Sequence, residues 1–177
     1  SGKWIVAYGD TYTQGTYYLA SAADKIYLNP QGQIDWHGLS SQPVFVKDLL
    51  AKVGVKMQVV KVGAYKSATE MFTGDRMSAA NREQTSAYLN SIWGNITKEV
   101  GASRRLSTAQ LNAYADSMIT FAAPETYVKL KLVDGLVYTD QMKGIVKKRL
   151  GLKSDDAIEQ VTVADLQNAE DETQDDG

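Results

Sequence analysis

The sequence contains no cysteine. Disulfides, thiol nucleophiles and zinc–thiolate centres are therefore excluded, although the absence fits an exported protein as well as a cytosolic one. No excess of positive charge exists either: 19 Lys and Arg stand against 21 Asp and Glu, a net charge of −2. That balance carries no nucleic-acid footprint, and no nucleic-acid partner is expected. No apolar run approaches the roughly 20 residues that a bilayer-crossing helix needs. Histidine is almost missing, with His37 alone. Asp10, Asp24, Asp35 and Glu70 lack a metal-ligand spacing, so neither a metal nor a cofactor is expected. What remains is ordinary for a globular domain. The chain has 177 residues, 44% hydrophobic and 23% charged, enough for one domain with a core or for a piece of a larger protein.

The order of elements predicts an α/β fold. Trp4-Ile5-Val6-Ala7-Tyr8 reads as a strand buried on both faces, as in parallel sheets. Such a strand rarely opens a complete domain, and the sequence is expected to be a fragment. A polar turn, Gly9 to Gly15, leads to a helix over Thr16 to Ala23 rich in small residues. Lys25 to Leu28 is a short strand, closed by the turn Asn29-Pro30-Gln31-Gly32. Pro43 to Val53 has helical spacing with Gly54 as its stop, and Lys56 to Val62 reads as a strand. The second half is helical. Ser78 is an N-cap, and Leu89, Ile92, Trp93, Ile96 and Val100 form one stripe that ends at Gly101. Ser107 to Gln110 fits a capping box, with Leu111, Tyr114 and Met118 behind it. Pro124 suits a helix first turn, Gly135 to Val137 an extended piece. Met142, Ile145, Val146 and Leu150 make a last stripe that Gly151 stops. Val161 to Val163 reads as a final short strand. The acidic end, residues 168–177, reads as a linker or tail.

Lys66 is the residue that calls for chemistry. It stands among small residues in Val62-Gly63-Ala64-Tyr65-Lys66-Ser67-Ala68, just after strand-like sequence. A lysine is ordinarily a solvated surface charge, but a tight loop can desolvate it and lower its pKa. A free lysine titrates near ~10.4. A base poised near pH 7 needs a drop of ~3 units, roughly 4 kcal/mol. No nucleophile is evident beside it: no Ser-x-x-Lys motif contains Lys66, and no Gly-x-Ser-x-Gly elbow exists. His37, beside Asp35 and near Ser40 and Ser41, forms only a weak triad-like cluster, and a locally bonded loop histidine explains it more simply. Tyr12, Tyr17 and Tyr18 read as packing residues.

Three stretches carry a resemblance: Gln14-Gly15-Thr16-Tyr17-Tyr18-Leu19-Ala20-Ser21-Ala22-Ala23-Asp24-Lys25-Ile26, then Asn29-Pro30-Gln31-Gly32, then Val62 to Ala68. Met77-Ser78 opening a long helix and Gly135-Leu136-Val137 after a helix extend it. Over roughly residues 1–167 the sequence resembles the amino-terminal half of the long, two-half bacterial signal peptide peptidases (the SppA, or protease IV, family). The resemblance implies a ClpP/crotonase-like domain, truncated here, with a helical second half. It also implies a serine–lysine dyad that hydrolyses leftover signal peptides. In the long form the first half gives the lysine, matched by Lys66, and the second half gives the serine. Where the second half reads Ser-Gly-Gly-Tyr, this sequence has Gln14-Gly15-Thr16-Tyr17, and a glutamine cannot be an alkoxide nucleophile.

The partners implied are the carboxy-terminal half of the same protein, further copies in a homo-oligomer, and signal-peptide substrates. The place implied is the bacterial inner membrane, with the catalytic part on the periplasmic side and this fragment soluble. Two other readings stay open. One is a structural half that builds an oligomeric chamber without chemistry; the other is a crotonase-like acyl-CoA enzyme.

Overall fold

The computed structural model describes residues 3–59 and 69–167. Lys66 and the acidic end, residues 168–177, lie outside them. The chain divides into two compact units, Ser1–Leu136 and Val137–Gly177.

In the first unit, strands β1 (Val6–Tyr12), β2 (Lys25–Ile34) and β3 (Gly135–Leu136) form a parallel sheet in the order β1-β2-β3. Helix α1 (Gln14–Ala20) links the first two. The central strand shows why the sheet holds. Ile26, Leu28 and Ile34 alternate into the core, with exposed Lys25, Gln31 and Gln33 pointing away, the period of two that a strand with one buried face imposes.

Three sequence expectations need correction here. Residues Gly9 to Tyr12 belong to β1 rather than to a turn, because their backbone pairs with β2. The apolar start is half-buried from Val6 to Gly9 rather than closed on both faces. Similarly, Asn29-Pro30-Gln31-Gly32 does not end the strand. Gly9 pairs with Leu28 and Thr11 with Gln33, so β2 bulges outward and then resumes. The turn chemistry holds the bulge: Asn29 Oδ1 accepts from the Gln31 amide (2.9 Å), and Asn29 Nδ2 donates to Asp10 Oδ1 (2.8 Å). Gly32 is required there, since a Cβ would stand 2.3 Å from the Asp10 carbonyl oxygen.

Between β2 and the long helix, α2 (Lys47–Lys52) and α3 (Glu70–Thr73) are short. The helix expected from Pro43 begins only at Lys47, and Lys56 to Val59 forms no strand; the rest of that expected strand lies outside the described residues. Val44, Leu49, Val53, Val55 and Met57 are all exposed.

Helix α4 (Ala79–Arg104) starts where Ser78 Oγ accepts from the Asn81 amide (3.2 Å). It runs past Gly101 to Arg104, and Arg105 turns the chain in the left-handed conformation. Its apolar stripe faces the core through Val100, with Trp93 and Ile96 packed against it. Helix α5 (Thr108–Asp116) has the expected capping box. Its stripe stops short of Met118, which is exposed and left-handed at φ +51. Helix α6 (Pro124–Lys129) takes Pro124 in its first turn.

The core carries several aromatic rings, and the polar ends of its buried Tyr and Trp side chains find partners, as burial demands. Tyr17 meets Tyr12 and Trp36 edge-on at 6.2 and 5.8 Å, and Trp36 lies 5.0 Å from Trp93. Tyr17 Oη donates to the Leu132 carbonyl (2.7 Å), and Trp36 Nε1 to that of Leu111 (2.9 Å). Burial raises the Tyr17 phenol far above its ordinary range and pushes Tyr12 up to about 12, so both are uncharged packing groups, as their sequence setting suggests.

The second unit contains α7 (Thr139–Leu150), which ends at left-handed Gly151, and α8 (Val163–Gln167). The strand expected over Val161 to Val163 does not form; Val161 and Thr162 lead into α8, which begins at Val163. Thr162 and Asp165 cap each other: the Thr162 amide donates to Asp165 Oδ2 (2.7 Å) and the Asp165 amide to Thr162 Oγ1 (3.2 Å).

Candidate functional site

The sequence marks three positions for chemistry: Lys66, Gln14 in the place of a nucleophile, and His37. Lys66 lies outside the described residues. The structure brings the other two together. Helix α1 begins as soon as β1 ends, with Thr13 as N-cap accepting from the Thr16 amide (3.2 Å). Gln14 is therefore the first helical residue, at the carboxyl end of a sheet strand. It is 8% exposed. Its Oε1 accepts from the backbone amides of His37 (3.2 Å) and Gly38 (3.0 Å), and its Nε2 donates to the Gly38 carbonyl (3.1 Å). The carboxamide thus binds a loop that follows β2. It has no group that could attack a carbonyl.

That loop is itself anchored. The Trp36 amide donates to Thr120 Oγ1 (3.0 Å), and Thr120 Oγ1 lies 3.4 Å from Asp35 Oδ1. His37 Nε2 stands 3.3 Å from Asp35 Oδ2 with its side chain 58% exposed. Ser40 and Ser41 are exposed further along the chain. The imidazole is a surface group paired with its neighbouring carboxylate, in keeping with the simpler reading of His37. A cavity of about 400 Å3 opens beside it, lined by His37, Gly38, Leu39, Trp93, Asn112 and Asp116 among others.

Two carboxylates organise the frame: Asp134 has no signal in the sequence, and Glu70 is weighed there only as a metal ligand. Glu70, in α3 just beyond the undescribed residues, is 9% exposed. It accepts from Ser78 Oγ (2.6 Å), the Ser78 amide (3.2 Å) and Asn81 Nδ2 (3.0 Å). The carboxyl group sits at the start of α4, where the helix's free amides and dipole favour such an acceptor. The chain leaving the Lys66 segment is thereby tied to the longest helix.

Asp134 sits at the opposite end of the sheet from Gln14. It accepts from the Ile26 amide (2.9 Å), Lys25 Nζ (3.0 Å) and Arg104 Nη1 (3.0 Å). Burial alone would raise its pKa, but these donors and charges outweigh burial and hold the carboxyl below its usual range. Neither carboxylate has a local signal, because their partners are set by folding. Among the described residues no three His, Asp or Glu side chains gather as a metal site.

Comparison with known proteins gives a consistent answer. A model of "Peptidase family S49" matches residues 1–153. "Protease 4" of Salmonella typhi is 40% identical over 157 residues, covering 85% of this chain and 25% of that protein. "Protease 4" of Haemophilus influenzae is 42% identical over 106 residues, 60% of this chain and 17% of that protein. "Serine protease SPPA, chloroplastic" of Arabidopsis thaliana is 30% identical over 158 residues, 88% and 23% respectively. The chain thus spans a quarter or less of the length of these relatives.

Proposed function

The chain belongs to peptidase family S49, and on that premise we propose that it is the lysine-bearing part of a serine–lysine endopeptidase that degrades cleaved signal peptides. Lys66 is the general base. The serine comes from the carboxy-terminal half of the same protein, and the domain is of the ClpP/crotonase-like kind.

The observation that carries this reading is Gln14. The position at the end of β1, where the family's second half has its serine, is filled here by a carboxamide bonded at both ends to the 37–38 backbone. A half that keeps the motif Val62 to Ala68 but lacks a nucleophile must borrow one. The chemistry then runs as follows. The serine hydroxyl gives its proton to the neutral Lys66 amine as its oxygen bonds to the peptide carbonyl carbon. The C–N bond breaks, and the proton passes from Lys66 to the leaving amine. Water then hydrolyses the acyl-enzyme. The partner half shuts Lys66 away from solvent and supplies the ~3-unit drop in pKa that a base at neutral pH requires.

Exposed apolar groups support a missing cover. Leu49 on α2, Val53 just after it, Val44 before it, Leu19 on α1 and Phe121 all face solvent. In the whole protein the second half and further copies bury surfaces of this kind and enclose a chamber. Extended apolar peptides bind there by main-chain pairing to a strand edge. The protein works at the bacterial inner membrane with its catalytic part on the periplasmic side. Among the described residues no helix is long and apolar enough to cross a membrane.

A fluorophosphonate that labels activated serines tests the division of labour. Applied to the full-length protein, it is expected to label one serine beyond Gly177, and the 177-residue chain alone should stay unlabelled and inactive on peptides. Labelling of any serine within these 177 residues would overturn the reading.

A further inference from the structure

Gln14 does more than lack a hydroxyl. Two consecutive backbone amides, those of His37 and Gly38, converge on its Oε1 at 3.2 and 3.0 Å. Gly38 takes φ +79, a conformation open to glycine and strained for other residues. A turn of this kind aims successive N–H groups at one point and makes a concavity for an oxygen carrying negative charge. The distances are close to those at which paired amides polarise an acyl oxygen.

The pair is also fixed in place. Trp36, directly before it, is fully buried, with its amide bonded to Thr120 and its indole to Leu111. The residue directly before the amide pair is therefore anchored in the core. The cavity of about 400 Å3 beside His37 and Gly38 leaves room next to it. Asp35 beside the His37 ring and Asp116 in the cavity wall would repel an anion. The chemistry that fits is a neutral amide, and Gln14 brings one: its Nε2 donates to the Gly38 carbonyl while its oxygen takes the two amides.

We infer that the His37–Gly38 amides form an acyl-oxygen pocket for a peptide-type amide, and that the Gln14 carboxamide occupies it as a built-in ligand. The chain presents its own side-chain amide where a substrate peptide group would otherwise sit. This half is consequently closed to carbonyl polarisation by its own amides. The inference stands on the geometry of residues 14 and 36–38 and is independent of the role of Lys66.

The test reads binding without turnover. His37 is the only histidine, so 13C-carbonyl histidine combined with 15N-glycine marks the Gly38 amide alone in a carbonyl–amide correlation spectrum. In the wild-type chain, acetamide should leave that peak unmoved. In Gln14→Ala the peak should shift away and then move saturably with acetamide, toward its wild-type position. A Gln14→Ala chain that folds but shows no saturable acetamide shift would overturn the inference.

Gln14→Met, which keeps side-chain bulk without the amide, decides the matter if Gln14→Ala does not fold. Exchange of the Gly38 amide with solvent deuterium should be at least ~10-fold faster than in wild type, as expected when a hydrogen bond is removed. Unchanged exchange would show that Gln14 does not hold the amide.

Discussion

Replacing Asp134 gives a measurable test of how the frame is held. Its carboxylate takes three donors, two of them cations: Arg104 Nη1 and Lys25 Nζ at 3.0 Å, and the Ile26 amide at 2.9 Å. Arg104 is 10% exposed and Asp134 19% in their side chains. Lys25 is half in water, so its contribution is screened and small. Asp134→Ala leaves the Arg104 guanidinium with the Lys131 carbonyl (3.0 Å) and no anion. Removing one partner of a largely buried pair costs about 3–5 kcal/mol, a large share of the 5–15 kcal/mol typical of a domain. Asp134→Asn can still accept from Ile26 and Arg104 with one oxygen, so its loss should be smaller, about 1.5–3 kcal/mol for the lost charge.

The assay is urea unfolding followed by tryptophan fluorescence. The sign with pH follows from the depressed carboxyl. Its contribution is fully present above the unfolded aspartate pKa of ~3.9 and is lost as pH falls through the lower folded value. The stability gap between wild type and Asp134→Asn should therefore be constant from about pH 7 to about pH 5 and close on further acidification. A gap under ~1 kcal/mol for Asp134→Ala at pH 7 would refute the reasoning, since a broken buried pair costs more than that. So would a gap for Asp134→Asn that persists unchanged into strong acid.

Two further substitutions probe the same frame. Glu70→Ala strips acceptors from the Ser78 amide, Ser78 Oγ and Asn81 Nδ2; a loss of about 1–3 kcal/mol is expected, with faster hydrogen exchange confined to the first turns of α4, and uniform protection along α4 would contradict it. Gly32→Ala places a methyl 2.3 Å from the Asp10 carbonyl oxygen and 2.8 Å from Leu28 Cδ1; overpacking of this kind costs about 1–3 kcal/mol or more, and an unchanged melting temperature would show that the bulge yields freely.

Local signals were readable at several helix starts, where the residues that set the start are close in sequence. Ser78, Ser107 and Pro124 each start a helix as their spacing indicates. The α/β class was also readable, because apolar strand-like runs such as Lys25 to Leu28 alternate with stretches of helical spacing. Val161 to Val163 misled because β-branched residues favour strands, although Thr162 and Asp165 carry a capping spacing that outweighs them. The Asn29 to Gly32 turn is real, but pairing with β1 continues the strand beyond it. Of the candidate site, Gln14 stood out only through its place in the motif. Its partners are 23 and 24 residues away, and those of Asp134 are up to 109 away. Contacts at such separations are set by the sheet and leave no periodic trace. The expectations for Lys66 rest on the motif around it, beyond the described residues.

Turnover of a signal-peptide substrate by the full-length protein carrying Lys66→Ala is the most direct measurement. On the proposed role of Lys66 as general base, its loss should lower kcat by ~10³-fold or more, since positioned proton transfer typically contributes 10²–10⁴-fold, while the variant still unfolds at the wild-type urea concentration. Retained turnover in a folded Lys66→Ala protein would contradict the account and leave this chain as a structural half.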